Sequence, residues 1–285
     1  MGLGLALILG PLGFAAAALA AGSNRWRPWL LPLAGAVHLG LTLAVLAAPV
    51  EEAAGRWLVL DPPGRYILGV VSTVFFFCTF YTVGYLRERP DLSNRVFCAC
   101  QLSALAGMSL VAWANHLGVM WVAIEASTLA AAPLIFFERT ALAIEATWKY
   151  LLVGSVGIAL ALLGSLFLAY SSVHAGVPTT LTFDDLVAHA PLLSKPWLRA
   201  AFVLFLVGYG TKMGLAPMHT WKPDTYGEAP GAVGALLAGA STSCAFLALL
   251  RVHHVASAAG EGAWASGLLL FMGLFSMGVA AVFMI

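Results

Sequence analysis

Charged residues make up only 9% of this 285-residue chain, against 61% hydrophobic, and the mean hydropathy is +0.92. A soluble globular domain carries about 25% charged and 45–50% apolar residues. That class is excluded, together with disordered and fibrous chains. A basic surface is also missing. Fourteen Lys and Arg stand against 13 Asp and Glu, which leaves nothing to neutralise phosphate and excludes a nucleic-acid binder. Cysteine is scarce: four residues are too few for a disulfide scaffold. Cys78, Cys98, Cys100 and Cys244 all lie in apolar runs, where cysteine behaves as a small packing residue. The sequence has no P-loop, no Gly-x-Gly-x-x-Gly before a strand, no Cys-x-x-Cys-His and no iron–sulfur cysteine set. Cys98-Ala-Cys100 lacks metal spacing, and adjacent His253 and His254 point to different helix faces. The expectation is no metal, no cofactor and no redox or hydrolytic site in this chain.

What is abundant is long apolar sequence. A bilayer core needs about 20 apolar residues per helix. Nine windows qualify, at 2–22, 30–50, 66–86, 96–114, 117–137, 149–170, 199–218, 231–250 and 267–285. None alternates as a membrane β-strand does, and backbone groups in lipid must be satisfied within their own segment. The expected fold is therefore all-α, a polytopic membrane bundle of about nine spans in contact with the lipid bilayer. The first window is read as a retained span because its basic residues, Arg25 and Arg27, follow it, whereas a signal peptide has them first. Loops after odd spans hold Arg25, Arg27, Arg87, Arg89, Arg95, Arg139 and Lys222. Loops and edges after even spans hold Arg56, Arg65, Lys195, Arg199 and Arg251. The excess places odd loops in the cytoplasm and the N-terminus outside an inner (plasma) membrane. Thr182-Phe-Asp-Asp185 reads as the start of a short extramembrane helix over 183–190. The last window has no polar flank after Ile285, so the chain is expected to be C-terminally truncated.

A few charges fall inside the spans. Glu125 sits mid-window in Trp121-Val-Ala-Ile-Glu-Ala-Ser-Thr-Leu, and Lys212 in Gly208-Tyr-Gly-Thr-Lys-Met-Gly-Leu-Ala-Pro217. An ionisable group at mid-membrane costs roughly 2.5–3.5 kcal/mol on insertion scales, and such groups face a partner or a water-filled cavity. Lys149 opens the sixth window four residues after Glu145, the favourable order for a supporting helical ion pair. Gly214 and Pro217 break the seventh window, and broken helices at membrane depth line ion sites. His219 follows the break and titrates near neutral pH. His38 reads as an inter-helix hydrogen-bonding residue. His253 and His254 are expected to face solvent. An acid and an amine buried together titrate as a coupled pair, so moving one changes the proton affinity of the other.

These residues carry a resemblance. Glu125 with its flanks resembles the fifth-helix glutamate segment of antiporter-like proton-translocating subunits, found in complex I, Mrp-type antiporters and membrane-bound hydrogenases. Gly210-Thr-Lys212-Met-Gly-Leu-Ala-Pro217-Met-His219-Thr-Trp221-Lys-Pro223-Asp224 is similar to that family's broken seventh helix. Glu145-Ala-Thr-Trp-Lys149-Tyr resembles the start of its sixth helix. Gly208-Tyr-Gly-Thr-Lys, with Ala229-Pro230 downstream, leans toward the hydrogenase-4 component F branch. The resemblance implies an N-terminal three-helix region over 1–95, one five-helix antiporter-like repeat over 96–255, and the start of a second repeat over 256–285. Several relatives place a Lys or His in the eighth span, where this chain has Ser241-Thr-Ser-Cys244.

The functional expectation is a proton-translocating subunit of a hydrogenase-4, formate-hydrogenlyase-like or complex-I-like assembly. Lys212 would carry the proton, Glu125 would modulate its charge, Lys149 would lie on the entry side and His219 would be a candidate relay. Other membrane subunits and a peripheral hydrogenase or dehydrogenase arm would be its partners. The alternatives are an Mrp-type monovalent cation/proton antiporter subunit and a non-transporting membrane scaffold.

Overall fold

Twelve α-helices follow one another in the computed structural model, which describes residues 2–47 and 55–283. They are α1 (Gly2–Ala20), α2 (Leu30–Ala47), α3 (Pro62–Arg87), α4 (Arg95–Trp113), α5 (Leu117–Ile135), α6 (Ala141–His174), α7 (Phe183–Ala188), α8 (Lys195–Met213), α9 (Trp221–Glu228), α10 (Gly231–Leu236), α11 (Thr242–Ala258) and α12 (Gly262–Phe283). A π-helical turn, Leu237–Ser241, joins α10 to α11, so Gly231–Ala258 forms one continuous rod. Among the described residues there are no strands, only the isolated bridges Leu58–Ala114 and His116–Thr182. Positions 48–50 of the second window and 284–285 of the last, including the chain end at Ile285, lie outside the described residues.

Among the described residues, eight helical segments are long and apolar enough to cross a bilayer. The ninth expected span, the seventh window, is the exception. It forms α8, stops at Gly214, and resumes only as the short α9. Several windows were also read too short. α6 starts at Ala141, so Lys149 lies two turns inside that helix and does not open it. α11 continues to Ala258, so Arg251, His253 and His254 are helical. The reason is that amphipathic helix ends extend a hydrophobic run past the point where polar residues begin. The short helix expected over 183–190 is α7, and the Thr182 hydroxyl donates to Asp185 Oδ2 at 2.8 Å. Hydrogen bonds from Thr180 and Thr182, then the Arg56 guanidinium, hold the Asp185 carboxyl below its ordinary range.

Lipid offers no partner for the last carbonyls of a helix, and arginines supply them here. Arg27, only 4% exposed, donates to the carbonyls of Ala18 (2.9 Å) and Ala21 at the end of α1. Arg65 donates to Val45 and Leu46 at the end of α2. Arg251, 5% exposed, donates to Val111 (2.9 Å) and Ala112 (2.8 Å) at the end of α4, and pairs with Asp61, the N-cap of α3. Arg27 lies in the expected connection between α1 and α2 but is buried, whereas Arg251 departs from the edge placement expected for it because α11 runs on to Ala258; in both, positive charge seeks the negative end of a helix dipole. His253 departs too, since it is half-buried and bonded to Ser266 Oγ at 2.9 Å, while His254 is exposed.

His38 is buried between α2, α3 and α4. Ser109 Oγ donates to the Leu105 carbonyl, so it accepts from His38 Nε2–H at 2.9 Å. His38 Nδ1 then accepts from Ser72 Oγ at 2.9 Å, and Ser72 accepts from Thr42 at 2.7 Å.

The backbones of α6 and α8 approach each other closely. A Cβ on Gly208 would meet the Gly157 carbonyl at 2.6 Å and Ala161 N at 2.7 Å, and one on Gly157 would meet Thr211 Cβ at 2.9 Å. Small residues at a membrane helix crossing permit this contact. It brings the following turn of α8, which carries Lys212, against the turn of α6 that carries Tyr150.

Candidate functional site

α8 ends in a left-handed cap at Gly214 (φ +78°). Leu215 N donates to the Gly210 carbonyl at 2.9 Å and Gly214 N to Thr211 O at 3.1 Å. The Trp221 indole, on α9, also donates to Thr211 O at 2.9 Å. Ala216 N, next to a cis bond to Pro217, donates to Ser276 Oγ of α12 at 2.9 Å. The break is thus a fixed structure whose backbone groups find partners, and it leaves Lys212 in the last turn of α8.

Lys212 is 3% exposed. Its ammonium donates to Tyr150 Oη at 2.9 Å and sits 4.4 Å from the centre of the Tyr150 ring and 6.0 Å from that of Trp221. Tyr150 and Trp221 meet edge to face at 5.3 Å. Among the described residues no carboxylate lies within ion-pair distance of Lys212. Glu125 on α5 lies within electrostatic reach of both Lys212 and Tyr150, but makes no ion pair with the lysine. Its Oε2 is buried without a hydrogen-bond partner. The phenol of Tyr150 is bound to the amine, and the acid acts on both from a distance without meeting the amine directly. Tyr150 was missed in the sequence. It stands in an apolar run like any core aromatic, and the usable signal was that a buried tyrosine hydroxyl requires a partner.

Lys149 lies apart from these groups. It bonds Glu145 at 2.7 Å and Asp224 at 2.6 Å, linking the start of α6 to α9. All three side chains are partly exposed, so this is a clamp at the membrane edge. His219 lies in the turn between α8 and α9, with Nδ1 buried and unpartnered and its ring 6.4 Å from that of Phe283. It makes no hydrogen bond to Lys212. Lys222, placed among loop charges in the sequence, is instead in α9 and folds back across Gly214. Thr225 Oγ1 and Tyr226 Oη on α9 are also buried without partners. Buried polar atoms are ordinarily satisfied, and Gln101 Oε1, Trp113 Nε1 and Tyr209 Oη are the other unpartnered ones among the described residues.

The chain is thus an all-helical membrane bundle with an interrupted helix and a buried lysine beside the interruption. The family described as "NADH:quinone oxidoreductase/Mrp antiporter, TM" matches residues 114–285, and the chain belongs to that family. It is 34% identical over 240 residues to the Hydrogenase-4 component F homolog of Methylacidiphilum infernorum, covering 78% of this chain and 50% of that protein. It is 38% identical over 210 residues to the F(420)H(2) dehydrogenase subunit N of Methanosarcina mazei, covering 73% of this chain and 41% of that one. Its structure matches a chain of respiratory complex I from Thermus thermophilus with a TM-score of 0.71 and 28% identity, over 86% of this chain and 53% of that one. The chain spans about half the length of the curated relatives it matches.

Proposed function

We propose that this chain is part of a proton-translocating membrane subunit of a redox complex of the hydrogenase-4 or complex I kind. The observation that carries this is the Lys212 ammonium, buried in the last turn of a broken helix, bound to a phenol and not neutralised by a carboxylate. A structural ion pair is made with its counter-charge in contact; this amine has been left able to lose its proton. Desolvation favours the neutral amine, and the nearby Glu125 carboxylate favours the charged one. Moving the acid or admitting water shifts the balance, and a proton moves. The relatives named above come from redox enzymes, which favours protons as the coupling ion and a redox arm supplied by other subunits. The reading also includes an N-terminal three-helix region over 1–95, a five-helix unit over 96–255, a second unit beginning at 256, and an inner-membrane location with the N-terminus outside.

The test is Lys212→Ala in inverted vesicles carrying the assembled complex, energised with NADH, H2 or formate. Proton uptake is expected to fall at least about 100-fold, the lower range for loss of a proton-transfer group, while the complex still assembles. Unchanged uptake leaves only a scaffold. Uptake that requires added Na+ or K+ identifies the antiporter alternative.

A further inference from the structure

Within the site, one amine remains without an assignment. Lys149 is saturated by two carboxylates. Lys222 makes no ion pair and no hydrogen bond through its side chain among the described residues; its nitrogen lies 5.9 Å from the centre of the Trp221 ring and 5.6 Å from that of Tyr226. Lys212 faces the same Trp221 ring at 6.0 Å. One indole therefore carries two ammonium groups, one from each side of the helix break. The Lys222 stem crosses the end of α8 so closely that a Cβ on Gly214 would overlap its Cδ and Cε. Glycine is required there twice, for the left-handed turn and for the passage of this side chain.

Three further observations fit a proton-holding role. Carbonyls at the end of α8 favour a positive charge nearby, which gives the Lys222 nitrogen a place to be charged without an acid. Thr225 Oγ1 and Tyr226 Oη on the same helix as Lys222, and His219 Nδ1 three residues before it, are buried without partners, the kind of polar setting that holds water. The stretch 231–250, which passes the other side of the site through its π-helical turn, contains no amine, imidazole or carboxylate. No second proton-holding nitrogen comes from that stretch, and the amine that faces the same indole as Lys212 is Lys222 of α9.

We infer that Lys222 is the second proton-holding amine of the site and alternates with Lys212 in carrying the charge. In the step, an N–H bond of the Lys212 ammonium breaks and its proton passes through water to the lone pair of the neutral Lys222 amine. Lys212 becomes neutral and Lys222 becomes the ammonium. Like charges facing one ring oppose each other, so loading one amine drives the other to release. Tyr226 and Trp221 hold the two nitrogens in place and exchange no proton with solvent.

This inference rests on the proposed function of Lys212, and its test keeps the two apart. Lys222→Met, Lys222→Arg and Lys222→Cys are made in the full-length subunit and assayed in the same vesicles, with assembly followed on native gels. Arginine keeps the charge and the aromatic contacts but does not release a proton in a protein. Uptake is expected to fall about tenfold or more in all three, within the span for a lost proton-transfer group. Treating the Cys variant with 2-aminoethyl methanethiosulfonate, which restores an amine, brings uptake back; methyl methanethiosulfonate does not. Parent-level uptake by Lys222→Arg, or equal rescue by both reagents, overturns the inference. If Lys212→Ala is silent in that same preparation, the failure belongs to Lys222 alone. If Lys212→Ala also pumps, the parent reading has failed with it. Should Lys222→Met not assemble, the Arg variant and the aminoethylated Cys variant decide.

Discussion

Two buried polar regions of this bundle are built on opposite principles. Between α2, α3 and α4, the groups of Thr42, Ser72, His38 and Ser109 form a chain in which each donor has its acceptor, closed by the Leu105 carbonyl. Nearby, Arg251 is matched by Asp61 and two carbonyls. Between α5, α6, α8 and α9, the groups are equally polar but incomplete. Glu125 Oε2, His219 Nδ1, Thr225 Oγ1 and Tyr226 Oη have no partners, and Lys212 has a phenol in place of a counter-ion. In a low-dielectric interior a satisfied network rigidifies and an unsatisfied one holds water. Substitutions in the first region should therefore register as stability, and those in the second as transport.

The largest stability effect is expected from Arg251→Met. It orphans the Ala112 carbonyl, leaves the Val111 carbonyl only its bond from Ala114 N, and leaves Asp61 without its cation. Removing one partner of a buried pair costs about 3–5 kcal/mol. Asp61 is about a third exposed and rehydrates in part, so about 2–3 kcal/mol is expected here. Thermal unfolding in detergent measures the loss, and proton uptake per assembled complex should be unchanged. A fall in uptake per complex breaks the comparison.

Tyr150→Phe comes next, with the opposite signature. The ring still packs on Trp221, so stability should change by less than about 1 kcal/mol. The Lys212 ammonium loses its one hydrogen-bond acceptor, and proton uptake should fall about tenfold, equivalent to about 1.4 kcal/mol at the rate-limiting barrier. A variant that unfolds early but pumps at the parent rate would reassign Tyr150 to the structural class.

His38→Leu should give the smallest effect. Ser72 regains a partner by bonding a carbonyl one turn back in its own helix, and hydrogen bonds between membrane helices average about 0.6 kcal/mol. A loss of about 1 kcal/mol, with transport intact, sharpens the division. Loss of transport would place His38 in the proton path and erase it.

The legible part of the site was the part whose chemistry is costly in lipid. Glu125 and Lys212 stand out because charge is rare in apolar runs, and the break because Gly214 and Pro217 cannot continue a helix. Tyr150 and Lys222 were invisible for related reasons. An aromatic in an apolar run looks like core, and a lysine just after a predicted span looks like a loop residue. Arg251 was assigned to a span edge because the apolar run ends before it, yet the helix continues to Ala258. The supporting role of Glu145 on Lys149 could be read from spacing, but the second carboxylate on that lysine, Asp224, lies 75 residues away in sequence.

Composition and periodicity alone determined that this chain is a helical membrane bundle, because the bilayer admits so few solutions for unpaired backbone groups. They also determined that its seventh span is interrupted beside a lysine. Which polar groups meet was decided by tertiary structure. The Gly157–Gly208 crossing sets how close α6 comes to α8, and so puts a phenol against the ammonium. The fold of α9 back over Gly214 brings a second amine to the same indole. Helix formation is a local property of the chain, whereas the pairing of charges across helices depends on packing distances that no local sequence encodes.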